Sequence, residues 1–578
     1  MSDDEVHTQA CVQCRRKKRK CSKTDPCRSC VDSGIDCFYV EGQKRGTKPG
    51  AIESLKRRVE QLENMFVAQS MMMYPREGRL EEIREEVLQS TKRRKVAATL
   101  PSMKMMHELC EIYFSKFHPW IPILHESRFM STVGTDEQSE IILQAITAIA
   151  VRFSSLPESE IKFYYEKCRE RVILASMDEF SVETLQATTI IAYDIIGNGR
   201  GPRSWSVISS ATRIVEQMGL AREEDESNHS LLNRMGLLNP SKNKTELEER
   251  RRLFWCIFLL DRFCSVTTGW GTSLTSGRVK RRLPIDGGLW KRNTPQIARY
   301  FSIAETQVDP TDSEDCLGGY AYLVEASDML SRIANFLLQT VEFNGEGIKN
   351  WFREFQILDS MLIRWKTFLP AKWQAVRVNS EGSLDENLTL AHVTYNTSVL
   401  LLHQNVAYPS PRLGITLPAK RSADRCLSVA IEISTITKQF LSHVTIPIAP
   451  QFALCAFVAG RTILAHSRHF NTVLDSNFGE LTEALRDMSA RWKGNAYSGE
   501  DLAGNFAMRL EDACNMNLTI DTSQAVMDQA QHSMASPPFA SVFRPVVEEP
   551  RASEASFENW NDLRMLDIDQ IFAWQGNK

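Results

Sequence analysis

Apolar residues recur at helical spacing through most of the chain, from about Pro101 to about residue 495. In the segment 204–220 they fall on one broad face, and Gly219 stands where a helix would end. The positions on that face are Trp205, Ile208, Ile214, Val215 and Met218. A second segment, 248–265, is apolar nearly all round, which is typical of a helix at the centre of a core. Because strand-like alternations are few, the pattern predicts a mainly α protein with a large all-helical region over 101–495.

Two segments interrupt this helical pattern, and neither predicts a catalytic site. Residues 223–248 are acidic to polar and are interpreted as a solvent-exposed loop. Gly197, Gly199 and Gly201 follow an apolar run, but their spacing is not the G-x-G-x-x-G of dinucleotide-binding proteins, and no acidic residue follows a second predicted strand. We therefore expect a turn between two helices there. Asp261 and Arg262, near the end of the apolar segment, are expected to form buried ion pairs.

A shorter pattern precedes the helical region. Apolar residues alternate three and four apart, as at the a and d positions of a coiled coil, at Ile52, Leu55, Val59, Leu62 and Phe66. With Ile52 at position a, Arg58 occupies position g and Glu63 the next e, where they would pair between the chains of a parallel dimer. We predict a dimerisation helix over 52–68. The pattern lasts only about two heptads, so a single amphipathic helix packed on the protein is the alternative.

Polar linkers flank this helix. Residues 41–51 contain glycine and proline that break regular structure, and residues 69–100 contain a charged helical piece followed by a basic cluster, Lys92–Lys95. That cluster and the run Arg15–Lys20 are candidate nuclear import signals. A charged run is also typical of an ordinary solvated surface, so that alternative stays open.

The tail, 496–578, is expected to be mostly disordered. Its last part, 546–578, contains seven acidic and three basic residues interleaved with aromatic and aliphatic side chains. These apolar residues are Phe557, Trp560, Leu563, Leu566, Ile568, Ile571, Phe572 and Trp574. The composition is that of an acidic and hydrophobic activation segment that contacts transcription coactivators. The alternative is a final helix docked on the helical region.

Charge and hydropathy limit the remaining possibilities. The chain has 578 residues and a net charge of only −3, so the whole molecule is not a nucleic-acid polycation. Its positive charge is concentrated in residues 15–58. The longest apolar run, 253–260, is shorter than the roughly twenty residues of a membrane helix. The chain opens with acidic and polar residues, so we expect neither a signal peptide nor a membrane partner.

The most specific chemistry lies near the start. Six cysteines repeat one spacing, a C-x-x-C followed by a third cysteine after six residues, at Cys11, Cys14, Cys21, Cys27, Cys30 and Cys37. One tetrahedral zinc would leave two thiolates over, whereas two zinc ions need eight ligand positions, which six thiolates fill only if two of them bridge. The repeat nominates Cys11 and Cys27 as the bridging pair. A disulfide-stapled domain is the alternative, but the reducing context indicated by eight further unpatterned cysteines favours Zn²⁺, two per chain.

No catalytic site is predicted elsewhere. His118 and His125 are not at a spacing that places two ligands on one helix face, and His392 and His403 stand alone. All four are expected to be hydrogen-bonded core or surface residues. We find no convincing nucleophile, base or open metal site, and therefore expect the chain not to be an enzyme.

The cysteine stretch resembles the fungal zinc binuclear cluster DNA-binding domain at every cysteine, and we assign that module to residues 8–40. In that family the first and fourth cysteines bridge, which corresponds to Cys11 and Cys27, and a proline precedes the fourth, as Pro26 does. The family's base-reading lysine corresponds to Lys18, next to Lys17. The remaining basic residues are interpreted as phosphate contacts, and they are Arg15, Arg16, Arg19 and Lys20.

The helical region resembles the fungal-specific transcription factor middle domain. The resemblance rests on Tyr113–His125, on Trp205–Leu220, on Glu249–Arg262 and on Leu283–Pro284. It implies a nuclear, sequence-specific regulator of RNA polymerase II genes, an activator that binds CGG-type half-sites in double-stranded DNA as a homodimer. A small-molecule effector would act on the middle domain. The alternatives are a repressor of the same family, or a helical metabolite sensor or enzyme with an appended zinc module.

Overall fold

A computed structural model describes eleven stretches of the chain: 10–39, 100–134, 139–199, 202–224, 238–294, 296–301, 316–338, 345–374, 384–408, 420–495 and 499–515. They belong to two units, Met1–Ala97 and Ala98–Lys578. In the first unit two short helices, α1 (Val12–Arg16) and α2 (Arg28–Val31), contain Cys14 and Cys30, and Cys11 and Cys27 are their N-cap residues. The peptide bond between Asp25 and Pro26, in the loop that joins them, is cis.

The second unit is built from helices. In chain order they are α3 (Met103–Lys116), α4 (Glu126–Thr132), α5 (Glu140–Ala150), α6 (Glu158–Asp178), α7 (Val182–Gly197), α8 (Pro202–Gln217), α9 (Lys244–Thr268), α10 (Gly287–Lys291), α11 (Gly319–Leu338), α12 (Gly345–Phe368), α13 (Glu386–Ala407), α14 (Lys420–His443), α15 (Pro450–Phe470), α16 (Asn477–Lys493) and α17 (Leu502–Asn515). Residues of these stretches form only isolated β-bridges and no strand. The predicted mainly α fold is confirmed.

Helix α9 lies at the centre, as its apolar sequence predicts. Asn243 caps its start by accepting a hydrogen bond from the Glu246 N–H, and Gly269 ends it in the left-handed conformation at φ 72°. Nearly every side chain from residue 252 to 263 is buried, against α7, α8 and α11. The helix therefore has no solvent face over this length.

The ion pairs predicted for Asp261 and Arg262 are present. The Arg262 guanidinium lies 2.9 Å from Asp261 Oδ2 and 3.4 Å from Asp328 Oδ1, on α11. All three side chains are buried, so removal of one partner would leave an uncompensated buried charge. These pairs fix α9 against α11.

The interpretation of 223–248 as a solvent loop is wrong at both ends. Glu223 is buried and accepts two hydrogen bonds from Arg251, and Glu248 is buried against Arg252 on α9. Glu248 also accepts a hydrogen bond from the Ile285 N–H, 3.0 Å away, just after Leu283–Pro284. Acidic residues that were expected to face solvent instead pair with buried arginines of α9. The pattern of apolar and polar residues along the sequence does not reveal such a pairing.

The four histidines singled out from the sequence are hydrogen-bonded, as expected. His118 bonds the Leu124 carbonyl at 2.7 Å, His125 the Trp290 carbonyl at 3.2 Å and His392 the Trp373 carbonyl at 2.8 Å. His403 bonds a carboxylate oxygen of Asp359 at 3.2 Å. Burial lowers the pKa of both His118 and His392 to about 4, so these two rings are neutral at physiological pH.

Residues near the end of the helical unit contact residues near its start. Trp492 of α16 donates from its indole nitrogen to Asn198 Oδ1, at 2.8 Å, directly after α7. Gly197 lets them meet, because a Cβ there would overlap the Trp492 ring. Trp120, after α3, similarly donates to the Pro447 carbonyl at 2.8 Å, before α15. The predicted turn after Gly197 is therefore also a packing site for the far end of the chain.

Helical structure continues past residue 495, where the sequence pattern placed the start of the tail. Helix α17 buries Leu502, Phe506 and Leu510, spaced four apart, against α15 and α16. The predicted dimerisation helix 52–68, the basic cluster Lys92–Lys95 and the segment 546–578 lie outside the described residues. Within the stretches that the structure covers, no helix is both long and apolar enough to span a membrane.

Candidate metal centre and nucleic-acid interface

Four cysteine sulfurs of the first unit form one buried group. The sulfur atoms of Cys11, Cys14, Cys27 and Cys30 all lie within 4.8 Å of one another. The closest pairs are each 3.6 Å apart, and they are Cys11 with Cys27, Cys11 with Cys30, and Cys14 with Cys27. A disulfide would need about 2.05 Å, so these are separate thiols.

These distances fit zinc. Four sulfurs at about 2.3 Å from a tetrahedral zinc are about 3.8 Å from one another. Each of the three close pairs contains Cys11 or Cys27, the two residues that the sequence repeat nominates as bridging ligands. A thiolate shared by two ions must lie near ligands of both, so the geometry suits that assignment.

Cys21 and Cys37 lie at the edge of this group, half-buried and packed against it. Backbone N–H groups point at the sulfurs: Cys27 donates to Cys37 Sγ at 3.3 Å, and Lys23 donates to Cys21 Sγ at 3.4 Å. Such donors stabilise thiolate charge and orient the ligand, as outer-sphere groups do at other metal sites. With these two the module has the six thiols that a two-zinc cluster requires.

Tyr39 supports the site, although the sequence analysis gave it no role within the module. Its hydroxyl lies 3.5 Å from Cys21 Sγ and donates to the Thr24 carbonyl at 3.0 Å. It therefore ties the end of the module to the loop between the two helices. The available signal was a short aromatic and apolar run, Phe38–Val40, directly after the last cysteine.

The thiols of this group differ in how readily they ionise. Against the effect of burial, hydrogen bonding with the Tyr39 hydroxyl and with backbone N–H groups lowers the pKa of Cys21 to about 6. Burial, and hydrogen bonding to the sulfurs of Cys27, Cys11 and Cys14, raise the pKa of Cys30 above its ordinary value. A metal ion must displace these protons, so binding and folding of the module are coupled. The basic residues 15–20 are exposed around the group and offset the negative charge of a six-thiolate cluster with two dications.

Helix α1 ends in a Schellman motif, with Lys18 at its left-handed position. The Arg19 N–H donates to the Cys14 carbonyl at 2.9 Å, and the Lys18 N–H donates to the Arg15 carbonyl at 3.3 Å. Lys18 has φ 51°, a conformation that glycine usually supplies. The Lys18 side chain is exposed. The chain thus turns sharply at the residue predicted to read a base.

The rest of the basic run surrounds this helix end. Arg15, Arg16, Lys17, Arg19 and Lys20 are exposed along the last turn of α1 and just beyond it. Among the residues that the structure describes, none donates a hydrogen bond to the carbonyls of Arg16 or Lys17. The end of α1 therefore presents ammonium and guanidinium donors beside open carbonyl acceptors. That combination can bond guanine O6 and N7 together with a cytosine amine in a major groove.

Comparison with known proteins agrees with this chemistry. Residues 9–46 match the fungal Zn(2)-Cys(6) binuclear cluster domain, and residues 110–367 match the fungal specific transcription factor domain. The chain belongs to the fungal zinc binuclear cluster transcription factors. It is a DNA-binding transcription regulator, and its N-terminal module binds two zinc ions.

Curated relatives are similar over long stretches. The azaphilone cluster-specific transcription factor azaR of Aspergillus niger is 28% identical over 320 residues, covering 52% of this chain and 67% of the relative. The citrinin biosynthesis transcriptional activator ctnR of Monascus purpureus is 23% identical over 543 residues, covering 83% and 90%. The activator mrl3 of Monascus ruber is 23% identical, covering 69% and 86%.

The structure describes the predicted zinc ligands and basic residues, but not the predicted dimerisation residues. It brings together the cysteines and places all six basic residues on or next to α1. The predicted dimerisation residues, which would set the spacing between two such modules, lie outside the described residues. They are Ile52, Leu55, Val59, Leu62 and Phe66.

Proposed function

We propose that this regulator is a sequence-specific activator of RNA polymerase II genes that binds CGG-type half-sites in double-stranded DNA. The observation that carries the proposal is the end of α1, where Lys18 stands at a left-handed turn beside the open carbonyls of Arg16 and Lys17. Lysine can donate to guanine, and carbonyls can accept from cytosine. The other basic side chains would contact phosphates and supply affinity without sequence information.

The proposal is tested by DNA binding of the full-length protein. Binding to a duplex with two CGG half-sites is compared with binding to a composition-matched scrambled duplex, each at low and high salt. We expect a preference for the CGG duplex that persists when salt weakens binding to both. Equal affinity for the two duplexes would leave only non-specific phosphate binding and contradict sequence reading.

We propose that the regulator binds as a homodimer through residues 52–68. The a/d repeat supports this, and residues 38–51 would set the spacing and orientation of the half-sites. Leu55→Pro breaks a helix at a cost of about 3 kcal/mol or more. It should convert cooperative two-site binding into weak single-site binding, whereas unchanged stoichiometry on a two-site duplex would favour the single packed helix.

We propose that the protein acts in the nucleus and that residues 546–578 recruit coactivators. Alanine at all four positions of Lys92–Lys95 should exclude a fluorescent fusion from the nucleus if this cluster is the import signal. Residues 546–578 fused to an unrelated DNA-binding domain should activate a reporter, and Phe572→Ala with Trp574→Ala should abolish that activity. An inert fusion, together with a parent protein destabilised by the same changes, would favour a docked helix.

We propose further that the target genes form a biosynthetic gene cluster and that a small-molecule effector acts on the middle domain. The support is that the relatives ctnR and mrl3 are named as activators of citrinin biosynthesis and azaR as specific to an azaphilone cluster. Genome-wide binding of the tagged protein tests the first part: binding sites concentrated in one cluster would support it, and dispersed sites would contradict it.

A further inference from the structure

An apolar cavity lies among the central helices of the second unit. Side chains from α7, α9, α11 and α13 line it, with Trp120 and the start of α15. Eleven of the twelve lining residues are buried, and Gln451 alone is half-buried. No charged side chain is among them. The cavity volume is about 40 Å³, enough for about three water-sized groups.

One polar group in this wall lacks a partner. The Tyr193 hydroxyl, on α7, is buried and makes no hydrogen bond to any residue that the structure describes. Burial raises its pKa well above the ordinary value, so it is a neutral donor. Cys256, its electrostatic neighbour on α9, also lines the cavity, and burial raises its pKa to about 12. A buried hydroxyl without a partner costs folding free energy, so its presence requires a reason.

Water is a poor occupant of this space. A buried water makes about three hydrogen bonds, and cavities with apolar walls stay dry. The other nitrogen donors of the wall are already used. The Gln451 amide donates to Ser327 Oγ at 2.9 Å and to Thr394 Oγ1 at 3.0 Å, while the Trp120 indole donates to the Pro447 carbonyl. Tyr193 is thus the donor left over in an apolar environment.

We propose that this cavity binds the carbonyl end of a neutral, apolar small molecule, whose oxygen accepts a hydrogen bond from the Tyr193 hydroxyl. The volume admits a head of about three or four heavy atoms, such as an acetyl group. The absence of charge from the lining residues disfavours a carboxylate or an amine, since a charged group desolvated there would have no counter-ion. This inference rests on the effector in the proposed function, for which it supplies a binding site and a ligand class.

A ligand at this position would act on the packing of several helices at once. Tyr193 belongs to α7, which packs on α5, α8 and α9, and its ring lies 5.7 Å from that of Trp492 on α16. A molecule bound only when these helices are assembled stabilises that arrangement by mass action. Binding should therefore be visible as thermal stabilisation.

The test uses the full-length protein with butanone as the probe. Wild type should show a melting temperature that rises with butanone concentration. Tyr193→Phe removes only the hydroxyl, so it should raise the melting temperature without ligand, by about 1–2 °C, and should lose the butanone-dependent rise. Tyr113→Phe is the matched control, because the equally buried Tyr113 hydroxyl donates to the Ile121 carbonyl at 3.3 Å. It should be destabilising and keep the rise.

A second variant, Leu390→Phe, fills the cavity and leaves the hydroxyl in place, and it should also lose the rise. A destabilised Tyr193→Phe would mean that the hydroxyl has a partner such as water, which overturns the proposal. So would the absence of a rise in wild type, or its full retention in either cavity variant. DNA binding measured on the same preparations distinguishes failure of this proposal from failure of the proposed function. Specific DNA binding without a butanone effect would contradict the ligand site alone and would still support the DNA-binding regulator.

Discussion

The two halves of the zinc module, residues 11–21 and 27–37, share a backbone and differ in their surface. In each half a C-x-x-C begins a short helix that ends in a Schellman motif, since Ile35 N–H donates to the Cys30 carbonyl at 3.1 Å just as Arg19 does to Cys14. Lys18, at φ 51°, and Gly34, at φ 62°, occupy the equivalent left-handed position. The metal scaffold therefore requires the turn and not the lysine.

The side chains around that turn separate the two halves. All six residues between Cys14 and Cys21 are basic, whereas those between Cys30 and Cys37 include two acids and no base. Glycine would adopt the left-handed turn at Lys18 more easily, by about 1 kcal/mol. A lysine at that position is expected if, as proposed, its side chain contacts DNA. In the proposed function, both halves hold metal and only the first half reads a base.

The largest expected effect comes from removal of a cysteine that is predicted to bind both zinc ions. Cys27→Ala should abolish binding of both zinc ions and unfold the module, because structural zinc contributes on the order of 10 kcal/mol to folding. Elemental analysis of the purified full-length protein measures this directly. Cys455→Ala, which removes a buried thiol of the second unit, is the control and should retain two zinc ions. Retention of one ion by Cys27→Ala would show that Cys27 is not shared.

The next effect concerns base reading. Lys18→Ala should lose about 1–3 kcal/mol of discrimination between CGG and scrambled duplexes. Lys23→Ala is a closely matched control, because Lys23 is exposed in the same module and also has a left-handed backbone, at φ 63°. Competitive fluorescence anisotropy with both duplexes gives the ratio. If the two variants lost discrimination equally, Lys18 would have no special role.

A smaller effect is expected at the phosphate contacts. Arg15→Ala should weaken binding to all duplexes by a similar factor and reduce the slope of log affinity against log salt by about one. Arg28→Ala removes a basic side chain from the second half, and it should leave the slope nearly unchanged if that half does not contact phosphate. A salt titration of each variant distinguishes the halves. Equal slopes for both variants would contradict a one-sided interface.

The smallest effect is on the turn itself. Lys18→Gly should stabilise the zinc-loaded module by up to about 1 kcal/mol, since glycine adopts positive φ without a steric penalty. Gly34→Ala should destabilise it by about 1–2 kcal/mol, although no neighbour lies within 4 Å of the added Cβ. Resistance to a zinc chelator ranks the variants. Destabilisation by Lys18→Gly would mean that the side chain supports the fold.

The metal centre could be predicted closely because ligand number and geometry leave few solutions for six cysteines. The left-handed turn at Lys18 could not, since no sequence pattern marks a non-glycine residue at positive φ. The role of Tyr39 could not be predicted either, for a different reason. Its contact with Cys21 closes a loop of 18 positions, and helical or strand periodicity describes only local neighbours.

The helical region shows the same division between local and long-range information. The central helix α9 followed from its continuous apolar residues, but Glu223 and Glu248 were assigned to solvent because acidic residues usually are. Their arginine partners lie on α9, and for Glu223 the pairing spans 28 positions. Helix α17 has a clear apolar spacing, yet it follows a polar break that resembled the start of the tail.

The contact between Trp492 and Asn198 has a consequence for how the gene tolerates truncation. The match to the family domain ends at residue 367, but the surface at Gly197 and Asn198 is completed by α16, and α17 packs on α16 in turn. A premature stop after residue 515 would remove residues 516–578, which include the segment 546–578 proposed to recruit coactivators. A stop between residues 367 and 502 would instead remove C-terminal helices that pack against the earlier ones. Alleles on the two sides of this boundary should therefore differ in kind, the first producing a folded regulator that occupies its sites silently and the second producing an unstable protein.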